Sequence, residues 1–246
     1  MSVVAGERWA LTLDARATRP RGRRTLARLL DAGLDEVGAH GYHGLRMANV
    51  ARRAGTAHGT AYVWFSGKDD LLSALHAETD AELEPALLAM PVLVAGEAGY
   101  EAVREWMRKV CAVFQKNGAV LQAVAEALSD EEGSRAGRAA LRSLGRTTAH
   151  IARRVEEACA RGAGGAVGVP GARGGPGAGG GAGAGGRPDV DPLDPEIAAL
   201  SVFALIEGAN RAVFRGELEL NPDDLVTGLA QFVHRSVFGV GSGLGR

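Results

Sequence analysis

Residues 46–65 read RMANVARRAGTAHGTAYVWF, two short periodic runs on either side of Ala54-Gly55-Thr56, and a bend between helices this short fits few folds. Met47, Val50 and Ala51 fall at i, i+3 and i+4 and make a core-facing stripe, which leaves Arg46, Arg52 and Arg53 on the other side. Gly55 supplies the bend, since a residue without Cβ tolerates the backbone it needs. The second helix, from about Ala57 to Trp64, starts with His58, Gly59, Thr60 and Tyr62, so small and hydrogen-bonding groups lead. That is the layout of a helix-turn-helix whose second helix enters a DNA major groove. Ala57 cannot accept a hydrogen bond at an N-cap and Thr56 can, so Thr56 is expected to cap this helix.

The flanks extend the pattern. A longer helix precedes it, with Leu26, Leu29, Leu30, Gly33, Leu34 and Val37 on one face, and ends near Gly41. After Phe65, Ser66-Gly67-Lys68-Asp69 has the spacing of a capping box, with the Ser66 hydroxyl and the Asp69 carboxylate satisfying free amides of a new helix that runs through Leu71, Leu72, Leu75 and Leu83 toward Pro91. Lys68 sits at the edge of this three-helix unit, where an ammonium can meet a phosphate.

These residues resemble the N-terminal domain of TetR/AcrR-type transcriptional regulators. The resemblance is carried by LLDAGLDEVGAHGY in the first helix, then VARRAG, then GTAY, then Phe65, Lys68 and Leu71-Leu72. It implies an all-α fold, with an N-terminal three-helix helix-turn-helix DNA-binding domain and a C-terminal helical ligand-binding and dimerisation domain. It also implies a homodimer on a palindromic double-stranded operator, with Tyr62, Trp64 and Lys68 touching the DNA backbone and the start of the recognition helix, Thr56 to Thr60 through Ala57, His58 and Gly59, touching bases. Two positions depart from the family: Arg46 stands where Ser or Thr is usual, placing a charge near the DNA backbone, and Thr56-Ala57 stands where Val-Ser is usual.

Charge is segregated along the chain. Its 28 Lys plus Arg and 29 Asp plus Glu leave a net charge of −1, yet residues 16–65 hold nine arginines and no lysine against Asp31, Asp35 and Glu36. A basic DNA-facing module beside a more acidic domain fits this split. The arginines from Arg16 to Arg24 could grip phosphates or belong to a solvated tail, and residues 1–20 are expected to be a flexible basic arm. The DNA-binding domain is then 21–83, the effector-binding and dimerisation domain 84–161 plus 187–240, and a linker covers 162–186. That linker has 14 glycines in 25 positions, too little apolar surface to offset its ordering entropy.

Beyond Met90 the helical period persists without strand-like alternation. One helix is expected from about Tyr100 to Asn117, stopped by Gly118, a short one from Val120 to Leu128, and a long one from around Glu131 to Arg161 with Leu141, Leu144, Thr148, Ile151 and Val155 inward. Asp194-Pro195-Glu196 and Asn221-Pro222-Asp223 each begin a helix with a cap and a first-position proline, the first running to about Arg215 and the second to about Phe238. In the resembled family these last two pair with their twofold mates, whereas the sequence by itself equally allows an intramolecular core. Candidate ligand contacts are Trp106, Val110, Phe114, Thr148, Phe203, Glu207 and Asn210, each of which could instead pack in the core or meet water.

Enzyme chemistry finds no set of residues. The six histidines, His40, His43, His58, His76, His150 and His234, form no ligand or triad spacing, and His76 with Asp80 at i, i+4 is at most half a metal site and more simply a solvated pair. Gly181 to Gly186 satisfies GxGxxG, but neither a strand nor a helix frames it. Neither a metal nor a cofactor is expected. Cys111 and Cys159 are too few for a disulfide scaffold and suit a reducing cytosol. No membrane span or secretory layout is read, so a cytoplasmic, nucleoid-associated protein is expected. The expectation is a repressor released by a largely apolar small molecule. The alternatives are an activator of the same family, a non-specific DNA-binding protein or a helical small-molecule-binding protein.

Overall fold

The computed structural model describes residues 8–129, 134–165 and 194–238. Among these are nine helices and no strand: α1 (Ala10–Arg16), α2 (Pro20–Gly44), α3 (Met47–Arg53), α4 (His58–Trp64), α5 (Lys68–Leu88), α6 (Glu97–Leu128), α7 (Arg135–Gly165), α8 (Pro195–Phe214) and α9 (Pro222–Phe238).

Two apolar cores organise them. The first gathers Leu26, Leu29 and Leu30 of α2, Val50 and Ala51 of α3, Ala61 of α4, Phe65, and Leu71, Leu72 and Leu75 of α5. It also takes in Val120, Ala123, Val124 and Ala127 from the end of α6, so the helix-turn-helix rests on a helix contributed from much later in the chain. The second core joins Leu83 and Leu87 of α5 to Val103, Trp106, Met107 and Val110 of α6, Ile151 and Val155 of α7, Ile206 of α8 and Leu229 and Val233 of α9. α5 and α6 thus run through both cores, and α5 crosses the boundary expected between residues 83 and 84 without a break.

Several expectations are corrected. Residues 10–16 of the supposed flexible arm form α1, because Trp9, Leu13 and Ala17 bury fully in the first core. The Trp9 indole N–H donates to Asp31 Oδ1 at 2.7 Å, and the buried Glu78 carboxylate accepts the Thr12 N–H at 2.6 Å. α2 does not stop at Gly41 but kinks there, with φ 64° and ψ −171°, and resumes to Gly44. Gly118 lies inside α6, which is one continuous helix, since the missing Cβ makes room for the Phe214 ring where a methyl group would collide with it. α7 turns Ser143 and Thr147 inward in place of Leu141, which is exposed; the two hydroxyls bury by bonding Asp80 Oδ1 and the Ser143 carbonyl. α7 also continues to Gly165, past the expected linker start at 162, while 166–186 and the GxGxxG stretch lie outside the described residues.

Capping follows the sequence in the second half and departs from it in the first. Asp194 Oδ1 accepts the Glu196 and Ile197 N–H groups, and Asn221 Oδ1 accepts that of Asp223. At α5, however, the carboxylate that closes back on Ser66 belongs to Asp70, which accepts the Ser66 N–H at 3.0 Å, while Asp69 accepts the Arg135 N–H of α7.

α8 is long and apolar enough to cross a membrane by length and composition. It packs on α6 and α7 through Ala199, Val202, Ile206 and Asn210, leaving Ile197 and Leu200 more than half exposed.

His76 of α5 is buried, so it and Asp80 are not a solvated pair. Its two ring nitrogens have no hydrogen-bond partner, and burial lowers its pKa against the pull of Asp80. A base whose folded pKa is depressed takes up protons more readily when unfolded, so stability falls as pH drops below about 6.5. Burial beside Arg153 and Arg154 lowers His150 in the same direction. The urea midpoint should therefore decrease from pH 7 to pH 5, and His76→Leu, apolar and of similar size, should flatten that slope while leaving the pH 7 value equal or higher. An unchanged slope would show that His76 is not the group being titrated.

Candidate nucleic-acid interface

α4 has only seven residues and one buried side chain, Ala61, so neighbouring groups set its orientation. Phe65, just past its end, is buried in the first core, and Trp64 is half-buried against Gly22, where an added Cβ would lie 3.2 Å from the indole. Arg16 of α1 fixes the same end: its guanidinium donates to the Trp64 carbonyl at 2.7 Å, lies over the Phe65 ring and pairs with Asp70 at 2.7 Å. Burial raises the Asp70 carboxyl, but hydrogen bonds from Arg16 and the Ser66 N–H, with the charges of Arg16 and Arg135, outweigh it and hold the carboxyl below its ordinary range. Arg16 is therefore a structural residue, a role that the run of arginines in the sequence does not reveal.

The α3–α4 turn is built on Gly55, whose φ of 61° suits a residue without Cβ. Thr56 does not cap α4. Its hydroxyl turns back to the Ala51 carbonyl at 3.4 Å, and the N-cap position falls to Ala57, which makes no side-chain bond. The cause is local: the Thr56 N–H already bonds Ala51 O at 2.9 Å, which holds this residue in the C-terminal turn of α3.

The structure places Arg46, Ala57, His58, Gly59 and Tyr62 on the exposed surface, with Thr56 and Thr60 half-buried beside them. The His58 and Tyr62 rings meet edge to face at 5.0 Å, one turn apart. A Cβ on Gly59 would meet nothing within 4 Å, so the backbone there is open to close approach. Trp64 and Lys68 stand differently. Trp64 faces the core more than solvent, and the Lys68 ammonium lies 3.9 Å over the Tyr42 ring and donates to the Tyr42 carbonyl at 3.4 Å. Arg46 donates to the His43 carbonyl at 3.2 Å, holding its charge near the start of α3.

One group was undervalued from sequence. Arg21, Arg24 and Arg28 of α2 line an open cleft of about 540 Å³ with Gly55, Thr56 and Thr60. Arg28 donates to the Gly55 carbonyl at 3.3 Å, which brings its charge onto the turn itself. The signal was the i, i+3, i+7 spacing of these arginines on a face opposite Leu26, Leu29 and Leu30. Arg53 is compensated by Asp35 at 3.3 Å and Arg23 by Asp14 at 2.6 Å, whereas Arg21, Arg24 and Arg28 of α2, like Arg46 and Arg52 at α3, face no carboxylate among the described residues. Guanidinium groups around an open cleft beside a small-residue helix start can hold phosphate oxygens while the helix meets base edges.

In the second core the candidate ligand residues separate. Phe114, Glu207 and Asn210 meet at a small cavity with Gly118, Gln122 and Phe214. Trp106 and Val110 are packed instead, with the Trp106 indole N–H bonded to the Ala86 carbonyl at 2.9 Å, and Thr148 spends its hydroxyl on the Leu144 carbonyl of its own helix. Phe203 packs against the core surface. Asn210 is buried, donates to the Ile206 carbonyl and the Cys111 sulfur, and leaves Oδ1 without a partner. A larger apolar cavity of about 250 Å³, which the sequence did not indicate, opens between Met90, Val155, Val202, Phe232, Val233 and Val237. Among the described residues no cluster of three or more His, Cys, Asp or Glu could hold a metal ion.

These elements define a helix-turn-helix protein with a helical second core. Residues 29–75 match the family described as "Bacterial regulatory proteins, tetR family". It is 36% identical over 50 residues to the fatty acid metabolism regulator protein of Bacillus subtilis, covering 20% of this chain and 26% of that one. It is 33% identical over 129 residues to the HTH-type transcriptional repressor KstR of Mycolicibacterium smegmatis, covering 51% and 58%. The matches thus span between about a quarter and somewhat over half of these relatives. Among solved structures, the fatty acid degradation regulator FadR of Bacillus halodurans superposes with a TM-score of 0.60 at 15% identity, covering 89% of this chain and 97% of that one. FadR of Bacillus subtilis in complex with stearoyl-CoA gives 0.58 at 14%, covering 87% and 98%. At such identities the superpositions establish the fold, helices of the second core included.

If the α2 arginines carry phosphate contacts, Arg24→Ala and Arg28→Ala should each weaken binding to specific and random duplexes alike and lower the slope of log K against log salt by about one. Losses confined to one sequence would assign them to base reading instead.

Proposed function

We propose that this protein is a one-component transcriptional regulator, most simply a repressor, that binds a palindromic operator as a homodimer in the cytoplasm and is released by a small molecule. The observation that carries this reading is the exposed start of α4, with His58, Gly59, Thr60 and Tyr62 beside the α2 arginines. Base edges are met by His58, Thr60 and the backbone at Gly59, while Arg21, Arg24, Arg28, Arg46, Tyr62 and Lys68 address the sugar-phosphate backbone.

Dimerisation is supported by the outer faces of α8 and α9. Ile197 and Leu200 on α8 and Phe232 on α9 are each at least half exposed on helices that already pack their other sides on the second core. Covering them with a second copy gives a twofold pair of α4 helices, and reading successive major grooves requires the two to lie about 34 Å apart.

An effector that prefers a conformer with a different spacing shifts the population away from DNA. A swing from 1:99 to 99:1 requires about 5.5 kcal/mol of differential affinity. The roughly 250 Å³ cavity, walled mainly by aliphatic and aromatic groups, favours an apolar effector, as does the fold shared with a regulator solved with stearoyl-CoA.

Selection of bound fragments from the genomic DNA of the source organism tests the reading. The expected result is recovery of a palindromic sequence bound at least about a thousandfold more tightly than random duplex at fixed salt. Equal titration of both would make it a non-specific DNA-binding protein.

A further inference from the structure

The geometry points to Glu126 as a positioning residue that links the end of α6 to Lys68 at the DNA-facing edge of the module, an inference that rests on the DNA-binding reading above. The link starts at the kink in α2. With ψ −171° at Gly41, the following peptide is rotated out of the helical ladder, and the Tyr42 N–H donates to Glu126 Oε2 at 2.7 Å across the contact between α2 and α6. The fit requires glycine twice over. Gly41 has φ 64°, and a Cβ there would lie 2.6 Å from the same carboxylate oxygen. The other oxygen, Oε1, accepts from Gln122 Nε2 at 3.0 Å, so the carboxylate is oriented from its own helix one turn earlier.

Tyr42 then passes the constraint on. Its ring is buried and carries the Lys68 ammonium at 3.9 Å, and its carbonyl accepts from the same ammonium at 3.4 Å. Lys68 opens α5 four residues after the end of α4. A carboxylate on α6 therefore holds the peptide that holds a lysine beside the recognition helix, over three residues in direct contact.

The surroundings give the link something to respond to. Gln122 and Glu126 wall a cleft of about 300 Å³ against Gly38, His40 and Gly41, and a second of about 380 Å³ against Arg211 of α8 and Arg215 just past its end. Phe214, at the end of α8, lines the first cleft and rests on Gly118 of α6. Movement of α6 relative to α8 changes the same surface that anchors Tyr42.

The test uses the full chain, the duplex recovered by genomic selection and a random duplex. Glu126→Leu should bind the selected duplex at least about fivefold more weakly and lower the salt slope by about one, because Lys68 loses its fixed position. Glu126→Gln keeps an acceptor oxygen and should stay within about twofold of the parent. Gln122→Leu, which frees the carboxylate without removing it, should fall between them and supplies the answer if Glu126→Leu does not fold. The decisive arm is a double-mutant cycle: Glu126→Leu with Lys68→Ala should bind no more weakly than Lys68→Ala alone, since one acts through the other. In free protein, amide exchange at Tyr42 should accelerate about tenfold or more in Glu126→Leu. Unchanged binding by Glu126→Leu, or losses that multiply in the double variant, overturns the link alone. A parent protein that binds no duplex overturns the DNA-binding reading, and the link to DNA with it.

Discussion

A helix of seven residues does not hold itself together in water, where nucleation is costly and stable isolated helices need about 12–15 residues. Whatever α4 does therefore depends on the apolar contacts beneath and behind it. Ala61 is its only buried side chain, and the rest of the anchoring comes from Phe65, from Trp64 against α2, and from Arg16 reaching across to the Trp64 carbonyl and Asp70. The polar face is consequently available for recognition, because the work of holding the helix is done by residues outside it. This explains the short N-terminal helix: α1 closes one side of the first core and delivers the guanidinium that fixes the end of α4.

The same dependence runs toward the C-terminal half. The first core is incomplete without Val120, Ala123, Val124 and Ala127, which come from α6, and α6 is equally a wall of the second core. A packed interior has little free volume to absorb displacement, so movement of one end of such a helix is felt at the other. The shared helices α5 and α6 thus give the cavity of the second core a packed connection to the helix-turn-helix.

Much of this was legible in the sequence for a definable reason. Met47, Val50 and Ala51, the leucines of α2 and the two Asx-Pro helix starts are local signals, decided by periodicity and by side chains bonding amides two or three residues away, and the structure keeps them. The misses are long-range. Gly118 reads as a helix stop, but its role is to admit Phe214 from α8, nearly a hundred positions later. Asp69 reads as a capping carboxylate, but it bonds the Arg135 amide of α7, and Asp70 takes its place because Arg16 is there to pair with it. Trp9 and Leu13 lie in a stretch whose charges suggest a tail, and only the core they enter explains them. The candidate interface followed the same rule: the exposed start of α4 came from local pattern, whereas the tethering of Lys68 by Tyr42 and the turn-capping use of Thr56 depend on partners that the sequence does not place.

The central proposal is that two copies of α4, each backed by the α2 arginines, read one face of a duplex. Hydroxyl-radical footprinting on a fragment recovered from genomic DNA measures this most directly. The account predicts two protected half-sites related by a dyad, with centres about 10 base pairs or a multiple of that spacing apart, and loss of both when His58 and Tyr62 are replaced by alanine. Protection of a single tract without dyad symmetry, or a footprint that survives those substitutions, would contradict it.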